Sequence, residues 1–262
     1  MPDFLARASY PELLLWVSIF FVGQTLLNVP FGFVLERLLP RRRIFDVPLA
    51  EGQIRFELLG NLVFLAVAIT SFFLVLSANV IRFGTPTWQR NAITFFAMMM
   101  GFQVFYYGLH RAMHHRSLIR FHRYHHRSHV TTPLSGQSMS FVEASGWMLG
   151  YAGMPLLFSL VTPIGFWGWV AYLAFNITGN IVGHANVEPK LIAAGVWWSS
   201  ALNANAFMYH SLHHARWTGH YGFQASMMDR IFGTEWKDWP SLFRRIIQGK
   251  PMKSLKERGD DS

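Results

Sequence analysis

Three long runs in this chain, residues 13–35, 58–81 and 91–109, contain no charged side chain. A helix of that length crosses the roughly 30 Å hydrocarbon core of a bilayer. Lipid offers no water to an unpaired backbone, so such runs must close their own hydrogen bonds as helices. The expected fold class is therefore an all-α integral membrane protein. Composition agrees: 52% of the 262 residues are hydrophobic and 14% are charged, against about 25% charged in soluble domains. The first run is too long for a signal-peptide core, and Glu36 and Arg37 follow it rather than a small-residue cleavage site. Pro30 is placed to kink that span, with neighbouring helices repairing the lost bond.

Charge in the connections sets an expected orientation. Arg37, Arg41, Arg42, Arg43 and Arg55 crowd the first connection, whereas the second carries only Arg82 and Arg90. The positive-inside rule puts the first in the cytoplasm. The third span then returns to the cytoplasm at His110, where Arg111, Arg116, Arg120, Arg123 and Arg127 follow. Two shorter apolar runs, about 143–160 and 163–182, flank Thr162 and Pro163 and suggest a hairpin that dips into the membrane and returns. A stretch from Leu191 to Phe207, with Trp197 and Trp198 as anchors, suits the interface. The resulting layout has about three spans and a hairpin with a cytoplasmic His-rich helical cap. Residues 1–109 hold the spans, 110–142 the first two histidine clusters, 143–183 the hairpin, 184–240 the cap and 241–262 a flexible tail.

All twelve histidines lie between His110 and His220. His110 and His114 are four apart. His122, His125 and His126 have the spacing i, i+3, i+4, and His210, His213 and His214 repeat it. On a helix each set shares one face. Imidazole is the commonest neutral nitrogen ligand for iron, zinc, copper and nickel. Eight or nine imidazoles, with the lone His184 added, suit two metal ions rather than one. With no cysteine in the chain, thiolate zinc sites and iron–sulfur clusters are excluded. No His-Glu-x-x-His occurs, which removes the zinc-protease reading. Haem needs two histidines on facing spans, not triplets. The formal net charge of +9 flanks apolar runs, as membrane topology or lipid contact requires, and does not indicate nucleic acid. Spans one and two carry no His, Asp or Glu in their apolar cores, which argues against a metal transporter.

The segments HRAMH (from His110), HRYHH (from His122) and HSLHH (from His210) resemble the HxxxH, HxxHH and HxxHH boxes of the fatty acid hydroxylase/sterol desaturase superfamily. DRIFGT, beginning at Asp229, is similar to the family's ending after the last box. The resemblance runs from about the second span to Trp236 and is nearest to the C5-sterol-desaturase-like branch. It implies a non-haem di-iron centre that uses O2. Two electrons would come from a donor such as cytochrome b5 or a ferredoxin with its reductase, and the product would be a hydroxylated or desaturated membrane lipid. Zinc can replace iron in such a site. The boxes imply His110, His114, His122, His125, His126, His210, His213 and His214 as ligands, and His184 matches the histidine that follows the hairpin. Glu188 stands where some members carry a further histidine. His129, His220, Glu188, Asn205 and Asp229 are candidates for the surrounding shell, as is Glu143, while His115 points elsewhere. Hydroxylation is the first expectation, with desaturation at the same site as the alternative and a non-catalytic metal-binding membrane protein as the reading from another class. Phe105, Tyr106, Phe141, Trp147 and Phe207 are candidates to line a lipid tunnel.

Overall fold

A computed structural model describes residues 1–189 and 205–260. All regular structure among them is helical. The expected interfacial stretch, including Trp197 and Trp198, lies outside the described residues except for its end at Phe207, and so does Asn203 beside the last box.

Among the described residues four helices are long and apolar enough to cross a bilayer: α1 (Tyr10–Leu38), α2 (Gln53–Ser77), α3 (Trp88–Met113) and α4 (Phe141–Val161). The start of α1 is fixed by a capping box in which Ser9 and Glu12 satisfy each other's backbone N–H groups. Thr87 and Ser140 cap α3 and α4 by accepting from the N–H of Arg90 and Glu143. Pro30 sits inside α1, which continues past it to Leu38. One turn of α4, Leu149–Gly153, is π-helical.

The hairpin is present, made of α4 and α5 (Phe166–Gly183), and it is deeper than the run lengths suggest. Its tip pairs with the α2–α3 connection: Ile164 N–H donates to Arg82 O at 3.0 Å, and Gly84 N–H donates back to Ile164 O at 2.9 Å. The hairpin therefore reaches the end of the bundle opposite the histidines and returns, with both of its ends on the histidine side. Close packing of α5 on α3 makes this possible. A Cβ on Gly168 would collide with the backbone of Asn91, whose side chain accepts from Gly168 N–H at 3.0 Å. Without a hydrophobic force between helices in lipid, such small-residue contacts carry the packing.

On the histidine side a second apolar core forms a cap. It joins Ile44 and Phe45 from the first connection, Met208, Tyr209 and Leu212 from α6 (Phe207–Arg216), and Trp239, Leu242, Phe243 and Ile246 from α8 (Trp239–Ile247), beyond the short α7 (Met227–Ile231). The expected flexible tail from residue 241 is thus in large part cap structure. Leu242 and Phe243 are buried, and Met252 N–H donates to Ile44 O at 2.9 Å while Met252 O accepts from Asp46. The amphipathic pattern of α8 supplies an apolar face that its mixed composition hides.

Gly168→Val should destabilise the protein by about 1–3 kcal/mol through overpacking, read as a lowered Tm in detergent. Gly23→Val, at an exposed position of α1 with nothing within 4 Å, should leave Tm unchanged.

Candidate metal centre

The histidines reach one place from four directions. His110 ends α3, His114 caps it, His184 caps α5, and the last box lies on α6. The second box is not one helical face. His122 closes a short helical turn (Ile119–His122), and His125 and His126 begin a separate 3₁₀ turn (His125–Arg127). The break lets one box serve two sites. His110, His114, His122, His126 and His213 form a group whose ligating atoms all lie within 4.8 Å of one another, and His125, His184, His210 and His214 form a second. The groups adjoin where the rings of His126 and His214 stack at 4.7 Å.

Six of the outward nitrogens are held by oxygen acceptors, while Nδ1 of His126 and Nδ1 of His210 have no partner among the described residues. Nδ1–H of His110 donates to Tyr221 O at 2.7 Å, of His213 to Gly219 O at 2.7 Å, of His214 to Ser128 O at 2.9 Å, of His184 to Asn180 O at 2.6 Å and of His125 to Ser138 O at 3.2 Å. His122 Nδ1 donates to the Glu143 carboxylate at 2.8 Å. A carbonyl only accepts, so these bonds fix the tautomer and leave Nε2 unprotonated. Burial lowers the pKa of His125 to about 4 and of His184 to about 3, and pushes His213 and His214 well below the ordinary value. The rings are therefore neutral, the form that binds metal.

This arrangement fits metal ions. The Nε2 atoms of His110 and His122 lie 3.1 Å apart, and neither carries a proton to share. Facing lone pairs at that distance repel unless a cation lies between them. Two nitrogens about 2.1 Å from one ion sit about 3 Å apart at right angles. The same spacing recurs from His213 to both His114 and His126, at 3.1 Å, and from His210 to His214, at 3.2 Å. His184 Nε2 is buried with no partner among the described residues, as a ligand nitrogen should be.

The remaining sequence candidates surround this centre. Asp229 accepts from Tyr221 N–H, Gly222 N–H and the Thr234 hydroxyl, and so fixes the loop whose carbonyls orient His110 and His213. Glu188 accepts from Met208 N–H at 3.0 Å at the start of α6 and stands outside both groups. Asn205 donates to Phe223 O. His220 is buried, donates to Tyr209 O and accepts from Trp236 N–H, which uses both its nitrogens. His129 contacts no ligand ring and accepts from Trp217 Nε1–H at 3.3 Å. His115 bonds Ser117 at the surface. Of the tunnel candidates, Tyr106 and Trp147 line a cavity of about 10 Å³ together with Phe64, His122, His125 and Glu143, while Phe141 is exposed. Glu143 closes that cavity with one carboxylate oxygen that has no protein partner.

Glu57 is a site residue that hydrophobic patterning passes over, because it stands immediately before the second apolar run. Fully buried, it accepts from Gln53 Nε2–H and from the hydroxyls of Ser128, Thr132 and Ser135 at 2.6–2.8 Å. Four donors compensate the buried charge. They clamp the loop after the second box to α2, and Ser128 in that loop holds His214. The contact is close: a Cβ on Gly60 would meet Ser138 and Tyr124 at 2.8 Å.

Glu57→Ala, which changes no histidine, should lower metal affinity by about 10–100-fold, the range found when outer-shell partners are removed. His115→Ala should leave it unchanged. Metal content after dialysis against graded chelator measures both.

Residues 95–234 match the model of the fatty acid hydroxylase family. The chain is similar to the very-long-chain aldehyde decarbonylase CER1 of Arabidopsis thaliana, 31% identical over 185 residues, which are 67% of this chain and 27% of the relative. It is similar also to the very-long-chain aldehyde decarbonylase GL1-6 of Oryza sativa, 30% identical over 174 residues, 63% of this chain and 27% of the relative. The chain thus spans about a quarter of the length of these relatives, and neither carries a sterol-desaturase name. No solved structure matches it significantly. With the three boxes inside the matched region and the histidines gathered into two groups, the chain belongs to the fatty acid hydroxylase family.

Proposed function

We propose that this protein is a membrane-bound non-haem di-iron enzyme that hydroxylates a lipid with O2 and two electrons. The observation that carries the reading is the pair of neutral histidine groups, five and four, lying against each other. When bound there, iron supplies the O2 activation that attack on an unactivated C–H bond requires. The chain supplies the rest. Carbonyl acceptors hold the imidazoles in register, and burial keeps them unprotonated and excludes water. Tyr106, Trp147 and Phe64 give the small cavity an apolar wall beside His122 and His125, where a hydrocarbon chain is favoured over water. The cavity has room for about one water-sized molecule, so a lipid enters by displacing these side chains. The arginine-rich connections favour a centre at the cytoplasmic face, where an electron donor such as cytochrome b5 or a ferredoxin would reach it.

A second reading follows from the named relatives: the substrate is a long-chain aldehyde and the reaction removes its carbonyl carbon. The same centre and donor serve this chemistry. Desaturation is the third outcome open to the site.

Iron-loaded protein in nanodiscs, supplied with ¹⁸O2, a reductase system and a panel of fatty acyl lipids, sterols and long-chain aldehydes, separates these. An ¹⁸O-labelled hydroxyl lipid is the expected product. A hydrocarbon shortened by the carbonyl carbon would replace it with the second reading, and an unlabelled alkene bond with the third. No O2-dependent product from iron-replete protein would contradict all of them.

A further inference from the structure

The last box ends in a distorted segment. Trp217, Gly219 and His220 all have left-handed backbone, with φ of 68°, 68° and 52°. For a bulky non-glycine residue this conformation is costly and persists only where its surroundings enforce it. The result here is a definite placement. The Trp217 indole lies on the ring of His126 with centroids 4.8 Å apart and a tilt of 37°. Its Nε1–H is held by His129 Nδ1 at 3.3 Å, and its backbone N–H donates to His213 O at 2.7 Å. His126 is fully buried, whereas Trp217 is partly exposed. One aromatic ring thus spans from the protein surface to a histidine of the five-membered group. The segment carrying the first two boxes presents Arg111, Arg116, Arg120, Arg123 and Arg127 to solvent, a basic skin that favours an acidic partner.

We propose that Trp217 is the electron-entry residue of this centre. The inference rests on the metal reading given above. Each transfer takes one electron from a reduced haem or iron–sulfur protein docked over Trp217 and delivers it through the indole and His126 to the metal ion. The donor is oxidised by one electron, the metal is reduced by one, and the indole is neither oxidised nor reduced and keeps its Nε1–H, donated to His129 Nδ1 throughout. Tyr221 also approaches a ligand ring, at 5.2 Å from His114, but a phenol gives up an electron readily only with its proton.

The test follows oxidation of the haem spectrum when reduced cytochrome b5 haem domain is mixed with iron-loaded full chain in nanodiscs. A plant-type ferredoxin serves as a second donor. Trp217→Phe and Trp217→Ala should retain wild-type iron and wild-type reduction by dithionite, yet accept electrons from the protein donor on the order of ten-fold more slowly, about 1.4 kcal/mol in barrier. Trp88→Phe, an exposed indole at the start of α3, should match wild type. Wild-type transfer rates in both Trp217 variants would overturn the proposal, as would iron-loaded wild type that neither donor reduces. Loss of iron in Trp217→Phe would also overturn it, since the ring would then merely hold the box. Wild-type protein that takes up no iron would overturn the metal reading itself, so the two failures are distinguishable.

Discussion

Nitrogen lone pairs that face one another in a dry interior impose the central constraint on this structure. Six imidazoles are turned by a bond on the outer side, among them His110 to Tyr221 O, His213 to Gly219 O and His214 to Ser128 O. Between His110 and His122, whose outer nitrogens are both bonded, the inner nitrogens are left with nothing to donate and lie 3.1 Å apart. A protein interior tolerates unpaired polar atoms poorly, and each of the two groups has the donors and the spacing to hold a metal ion. Metal binding there would couple to folding, because the loops that orient the rings are part of the folded cap.

The bilayer helices act as the frame against which those loops are fixed. Glu57, at the histidine end of α2, gathers four donors and clamps the loop after the second box. Asp229 does the same for the loop after the third, through the N–H groups of Tyr221 and Gly222. Both carboxylates stand away from the ligating atoms and act through backbone. The deep hairpin brings His184 to the centre from α5 and Glu143 from α4. A substitution in the membrane can therefore reach the centre through helix packing alone.

The spans were legible because a charge-free run in lipid has only one backbone solution, and the boxes because eight histidines at repeated spacings have few other uses. The partition was not legible. The spacing of His122, His125 and His126 implies one helical face, but the chain breaks after His122, so His125 turns to the second group while His122 and His126 stay in the first. The hairpin's depth depends on a backbone contact between Gly168 and Asn91 that no periodicity encodes. Glu57 was hidden by its position at the edge of an apolar run, and the cap helix near the C-terminus by its mixed composition. His220 and His129 show the converse: histidines close in sequence to a box whose nitrogens are used for backbone and indole contacts.

The most direct measurement is an anomalous-scattering map, recorded at the iron edge, from crystals of protein purified out of iron-supplemented cells. Two peaks are expected, one among His110, His114, His122, His126 and His213 and one among His125, His184, His210 and His214. A single peak, a peak outside these groups, or well-ordered histidines with no anomalous density at the iron or zinc edge would contradict the two-metal centre.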